Sequence, residues 1–201
     1  MLVMLSSATA EPVTVEQVKA HLRITTNDDD LLLENFIISA RSAAENYMKR
    51  QIMPVQWRVI LDTFPGTTGA IELPRPPLST ASSDVTITYF KDSTIVNDST
   101  TVPSTAYTID YDKEPGSVYP SYGNNWPDDV TDERKSCVFV NYKSGYATVQ
   151  KVPEPIKLWI KMKVHSMYEY RNPVSESAYL FKDLPHEHYN GLLDPYVIVK
   201  A

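Results

Sequence analysis

A single cysteine, Cys137, excludes an internal disulfide. Standing in the run CVFV, it reads as a buried strand residue rather than a reactive thiol. Glycine is scarce too. Gly66, Gly69, Gly116, Gly123, Gly145 and Gly191 are the full set, and none falls in a Gly-rich turn between a strand and a helix. A phosphate-cradling loop is therefore excluded, and the glycines are assigned to turns. No stretch approaches the roughly 20 apolar residues of a membrane-spanning helix. The opening MLVMLSSATA lacks the basic segment of a secretory signal, so no leader, no membrane and a cytoplasmic site of synthesis are expected. Positive charge is short as well. Nineteen Lys and Arg against 25 Asp and Glu leave a net charge of −6, which suits neither a protein that coats nucleic acid nor one that binds an anionic membrane surface.

What the chain has instead is proline and tyrosine, 15 and 13 residues respectively. Proline fixes extended connections and ends helices, and tyrosine offers a broad apolar face with a polar tip, suited to contact surfaces. The 201 residues suffice for one domain with a large insertion, or two small ones, around a real core.

Periodicity divides the chain. Residues 1–10 are expected to be loosely attached. In PVTVEQVKAHLRI, Thr14 is placed as an N-cap with Gln17 as its reciprocal partner, opening a short helix that needs tertiary support. TTNDDD breaks it, and Asp28 or Asp29 caps a second helix from about Asp30 to Arg50. Its apolar stripe is Leu32, Leu33, Phe36, Ile37, Ala40, Ala44, Tyr47 and Met48. Ala40, Ala43 and Ala44 leave room for another helix to approach closely. From Val55 the period becomes two. Strands are expected at 55–61, 71–73, 85–90, 107–111, 117–119 and 137–142, joined by turns such as FPGTTGA. A helix bearing Ile156, Trp159, Ile160, Val164, Met167 and Tyr168 then extends to Tyr170 or Arg171, with Asn172-Pro173 ending it.

The expected fold class is α+β: a small helical bundle of two N-terminal helices and one long C-terminal helix, an inserted antiparallel β-domain, and an extended C-terminal tail. The boundaries are 11–54 with 152–172 for the helical base, 55–150 for the β-domain and 173–201 for the tail. The second and third helices are expected to pack together, with the β part projecting from them.

Candidate chemistry is thin. His186, Glu187 and His188 form an HEH triplet, short of the three or four ligands a zinc site needs. His165 has no base or nucleophile at a readable spacing. The run Asp28–Asp30 reads as helix capping, and Asp128, Asp129, Asp132 and Glu133 read as a solvated turn; neither has calcium-loop spacing. Lys157 and Lys161, four apart on the third helix, read as a solvated face or a phosphate-facing patch. No cofactor, metal or catalytic centre is expected. A small metal-dependent hydrolase would need a constellation the sequence does not show, whereas a non-enzymatic accessory or assembly-chaperone module would use the same parts as a structural protein.

The ending NGLLDPYVIVKA is the unusual feature. Leu192, Leu193, Tyr196, Val197, Ile198 and Val199 crowd six large apolar side chains into eight positions, too many to leave in water. Either the tail folds onto its own domain, or it lies on another subunit.

In order and spacing, PVTVEQVKAHLRI, DDDLLLENFIISARSAAENYMKRQI, WRVILDTFP, IELPRPPLS, the segment 107–110, VFVNYKSGY, VPEPIKLWIKMKVHSMYEYR and LLDPY resemble the phage head–tail connector (adaptor) proteins, gp6-like and gp8-like, over about residues 12–199. The resemblance implies a structural virion protein of the neck, assembled in the host cytoplasm, with no enzymatic activity. It implies a ring, about a dodecamer, of neighbouring copies under the portal protein, above a downstream tail or stopper protein, with genomic DNA passing through a channel without sequence-specific binding. It makes Leu192, Leu193, Pro195, Tyr196, Val197 and Ile198 the portal-docking tail, and Lys157, Lys161 and His165 a channel or inter-subunit helix face. An acidic chain suits a conduit that DNA must slide through. Val197 stands where the family often has Arg after Pro-Tyr, so no salt bridge is expected there.

Overall fold

A computed structural model describes residues 1–91, 99–130, 135–169 and 187–199. The chain divides into two compact units: residues 1–9 with 54–147, and residues 10–53 with 148–201.

The first unit is all β among its described residues, apart from one short 3-10 turn. Its central sheet orders β1 (Leu2–Met4), β2 (Val55–Leu61), β8 (Val138–Ser144), β4 (Thr86–Phe90) and β5 (Ser99–Thr101), each pair antiparallel. A smaller sheet orders β3 (Ile71–Leu73), β7 (Gly116–Pro120) and β6 (Tyr107–Asp110). Strict alternation explains the register. Val55, Trp57 and Val59 on β2 are buried, and so are Val138, Val140 and Tyr142 on β8, with Trp57 opposite Tyr142 and Val59 opposite Val140. Because side chains alternate across a strand, a slip of one residue would turn this whole set into solvent. Ile71, Leu73, Tyr107 and Val118 from the smaller sheet join the same core. Phe64 stacks on Trp126, ring centroids 5.0 Å apart. The Trp126 indole N–H donates to the Gly69 carbonyl at 2.7 Å. Gly69 has no room for a side chain, since a Cβ would lie 1.8 Å from the Pro65 carbonyl oxygen. Cys137 is buried and immediately precedes β8.

Residues 1–10 depart from the expectation. Leu2, Val3 and Met4 pair with Val59, Arg58 and Trp57, and the terminal ammonium donates to the Ile60 carbonyl at 2.8 Å. Three residues are too few to show a period, and the pairing partner lies more than fifty residues along the chain, so nothing local announces this strand. β5, a Ser-Thr-Thr run, also lacks a hydrophobic signal.

The second unit packs α1 (Val15–Leu22), α2 (Asp30–Met48) and α3 (Glu154–Glu169) together. The Thr14 hydroxyl accepts from the Gln17 N–H, and the Gln17 side chain accepts from the Thr14 N–H, completing the capping box. Asp29 holds the N-cap position of α2 but makes no side-chain cap bond; its carboxylate instead accepts from the Tyr168 hydroxyl on α3 at 2.7 Å. α2 stops at Met48, and Lys49 takes a left-handed conformation, two residues before the expected end. Leu33, Ile37, Ala40, Ala44 and Met48 are buried along one stripe, and Ile156, Trp159, Ile160 and Val164 are buried on α3. The end of α3 expected at Tyr170 or Arg171 and the stop at Asn172-Pro173 lie outside the described residues.

One buried carboxylate organises the end of α2. Glu45, 7 % exposed, accepts from Arg41 Nη1 at 2.9 Å, from Gln51 Nε2 at 2.7 Å and from the Ile52 N–H at 3.0 Å. Arg41 also forks onto both oxygens of Glu11 at 2.7 and 3.1 Å. Burial works against the Arg41 charge, but Glu11 and Glu45 more than offset it and raise its pKa.

Two substitutions test this packing. Ala40→Leu inserts bulk into a fully buried position and should cost about 1–3 kcal/mol in urea unfolding. Glu45→Ala leaves Gln51 and the Ile52 N–H without their acceptor and should cost at least about 1–3 kcal/mol by the same assay, with Glu45→Gln recovering part of it.

Candidate functional site

Residues 187–199 close onto the C-terminal end of α2. α4 (Glu187–Asn190) makes a single turn. A 3-10 turn follows at Asp194–Tyr196, with proline in its first positions, where a fixed φ and a missing N–H cost nothing. Between them Leu193 is wholly buried. Removing one such side chain from water is worth about 1.5–3 kcal/mol. Polar contacts set the register around this anchor. The Tyr47 hydroxyl donates to Asp194 Oδ1 at 2.7 Å, and Arg50 Nε donates to the Tyr196 carbonyl at 3.1 Å. The Ile198 N–H donates to the Met48 carbonyl at 3.0 Å, satisfying one of the carbonyls that a helix leaves without an internal partner at its end. Upstream, the Trp159 indole N–H donates to Asn190 Oδ1 at 3.1 Å, and its ring lies 5.9 Å from that of Tyr189.

The structure therefore answers the question raised by the ending: this segment rests on its own unit. It does not use all its apolar residues in doing so. Leu193 faces inward. Leu192, Tyr196, Val197 and Ile198 are half-buried, and Pro195 is exposed. Val199 is 82 % exposed. Sequence reasoning missed Tyr47, Arg50 and Asp194 as the polar side of this clasp. Only the apolar run signalled it, because partners 146 and 147 residues apart leave no spacing to read.

A second cluster lies where α1 meets α3. The rings of His21 and His165 meet edge to face, centroids 6.1 Å apart. Lys161 stands close enough to act on His21: burial first, then the charges of Lys161 and His165, hold the His21 pKa below its ordinary value. His165 Nε2 lies 4.0 Å from Glu169, and Lys157 Nζ pairs with Glu154 at 2.8 Å. Lys157, Lys161 and Glu154 line one hollow with Gln17 and Val149. The structure thus places Lys157, Lys161 and His165 along one helix and adds His21, which no spacing along the chain joins to them.

The carboxylate runs behave as structural groups. Asp30 pairs with Lys19 at 2.8 Å. Asp129 pairs with Lys91 at 2.9 Å, and the hydrogen bond from Lys91 holds the Asp129 carboxyl below the usual range despite partial burial. Asp132, Glu133 and His186 lie outside the described residues, as do the side chains of Glu187 and His188. Among the described residues, no group of three or more His, Cys, Asp or Glu gathers that could hold a metal ion, and no helix is long and apolar enough to cross a membrane.

Solved structures of similar fold come from gene transfer agent (GTA) particles. A chain in the neck of an empty GTA particle, computed with C6 symmetry, superposes with a TM-score of 0.77 at 17 % identity, covering 100 % of this chain and 97 % of that one. A chain in the neck of a native GTA particle, computed with C12 symmetry, gives 0.73 at 19 % identity with the same coverage. A chain from the virion of the native particle gives 0.74 at 18 % identity, again with that coverage. At such identities the likeness establishes the fold. No curated protein sequence matches. Residues 12–112, half of the chain, match the family described as phage gp6-like head-tail connector protein. The chain belongs to the phage gp6-like head-tail connector family.

Proposed function

We propose that this connector acts as a ring between portal protein and tail in the virion neck, after assembly in the host cytoplasm. The ring forms part of the channel for genomic DNA and is fastened to the portal by the C-terminal segment. Family membership over residues 12–112 carries the reading. A neck relative described with C12 symmetry favours about a dozen copies, with a downstream tail or stopper protein below them.

The clasp supports a division of labour within the segment. Leu193 is committed to the chain's own unit, so Leu192, Pro195, Tyr196, Val197 and Ile198 supply the contact to the portal. Holding their backbone on α2 before assembly lowers the ordering cost that a free tail would pay at the moment of docking, and repetition around a ring multiplies a modest contact. The α3 face of Lys157, Lys161 and His165 faces DNA or a neighbouring copy. Glu154 balances part of its charge, which suits a surface past which DNA moves without adhering. Function requires no cofactor.

Two outcomes are expected. The double variant Tyr196→Asp, Val197→Asp should leave the isolated chain folded yet abolish its attachment to portal-bearing capsids, read by sedimentation. Leu193→Ala should instead destabilise the isolated chain by about 2–5 kcal/mol in urea. Attachment of the double variant at the wild-type level would refute portal docking by the tail. The histidine cluster gives a pH signature. Because the His21 pKa is depressed in the folded chain, its stabilisation is present above the ordinary histidine value and lost as pH falls through the folded one. Urea midpoints at pH 7 and pH 5 should therefore differ more for wild type than for His21→Gln.

A further inference from the structure

Among the described residues the five-stranded sheet is open at both ends, and the two ends are complementary. At one end, the Met1–Ile60 bonds in both directions and the Leu5 N–H bond to Gln56 fix which way β1 faces. Met1, Val3 and Leu5 direct their backbone groups at β2, so the N–H and C=O groups of Leu2 and Met4 point outward from the edge. The side chains of Leu2, Val3, Met4 and Leu5 bring no charge and no proline, the usual devices that block pairing with another strand, and the terminal ammonium is turned onto the Ile60 carbonyl of β2. Its side chains are also greasy: Met1 is 82 % exposed, Met4 54 % and Leu5 42 %. Met4 lies opposite Trp57, on the core face of the sheet.

At the other end stands β5, whose described pairing is with β4 alone. Ser99, Thr100 and Thr101 likewise bring no charge and no proline. Beside it opens a hollow of about 390 Å³, lined by Val85, Val102, Pro103 and Tyr107 among others. Val85, Val102 and Tyr107 belong to the sheet's core, so on their side the hollow borders the face that Met4 occupies at the far edge, while Thr86 and Thr101 form its other rim. One end offers an apolar knob beside unpaired backbone; the other offers an apolar socket beside a strand edge.

We infer that β1 of one copy pairs with β5 of the next, with Met4 seated in the hollow beside Tyr107. The occupant is a second copy of this chain because each copy has one end of each kind. Joining unlike ends is a head-to-tail contact, which closes into a ring when the rotation per copy permits. The inference rests on the ring reading above and adds the interface that closes it.

Cysteine pairs test it directly, since the native Cys137 is buried. Met4→Cys is combined in turn with Ser99→Cys, Thr100→Cys and Thr101→Cys, and intact particles carrying each variant are oxidised. At least one pair should give a ladder of covalent oligomers on a denaturing gel, and the single variants should give none. In parallel, Met4→Pro removes an outward N–H while sparing the bonds to β2. It should leave the melting temperature of the isolated chain unchanged and abolish the ring seen by electron microscopy. Should Met4→Pro unfold the chain, the cysteine pairs alone decide. Wild-type rings with no ladder from any pair would overturn the β1–β5 contact and leave the ring reading standing. Absence of a ring at the neck of wild-type particles would overturn both.

Discussion

The helical unit depends on how the C-terminal end of α2 is tied off. A helix ends with carbonyls that its own backbone cannot satisfy, and a buried end must find them partners. Here three segments converge on that end. Glu45 binds the exit, through Gln51 and the Ile52 N–H. Arg41, itself held by Glu45, binds the approach through Glu11. The Met48 carbonyl and the Arg50 guanidinium bind the C-terminal segment. A buried carboxylate is costly to leave alone, and these donors offset that cost only when all are in place. The arrangement therefore specifies one geometry for the approach, the exit and the tail together.

That convergence links packing to function. A segment that docks on a neighbour gains affinity if its backbone is already set. Leu193 and the bonds at Asp194, Tyr196 and Ile198 do this without consuming the remaining apolar side chains. The β unit follows a different logic. Its register is fixed by period-two burial on β2, β8 and β4. Across β2, β8 and β4 a polar row occupies the opposite face: Arg58 Nε donates to Asn141 Oδ1 at 2.7 Å, and Asn141 Nδ2 donates to Thr86 Oγ1 at 3.4 Å. A sheet so built is stable at its centre and, among the described residues, open at its ends.

Elements with a strong local period were legible in the sequence. The capping box at Thr14 and Gln17, the α2 stripe through Leu33, Ile37, Ala40 and Ala44, and the alternation from Val55 each follow from side-chain geometry within a few residues. β1 and β5 were not legible, being three residues long and without contrast between faces. The division of the strands into two sheets was hidden too, because pairing is a long-range property. At the candidate site, the apolar run at 192–199 revealed that something must cover it, but not what. Of its partners, Tyr47 belongs by spacing to the apolar stripe of α2 and Arg50 stands just beyond the end of that helix, so neither announced a polar contact with the tail. His21 joined His165 and Lys161 only once α1 was laid against α3.

The central claim is that the end of α2 holds the C-terminal segment in the isolated chain. Amide hydrogen exchange resolved at Ile198 measures this most directly, since its N–H is the one given to the Met48 carbonyl. The account predicts slow exchange in wild type that becomes rapid in Leu193→Ala. Exchange at the free-peptide rate in the wild-type chain would contradict it.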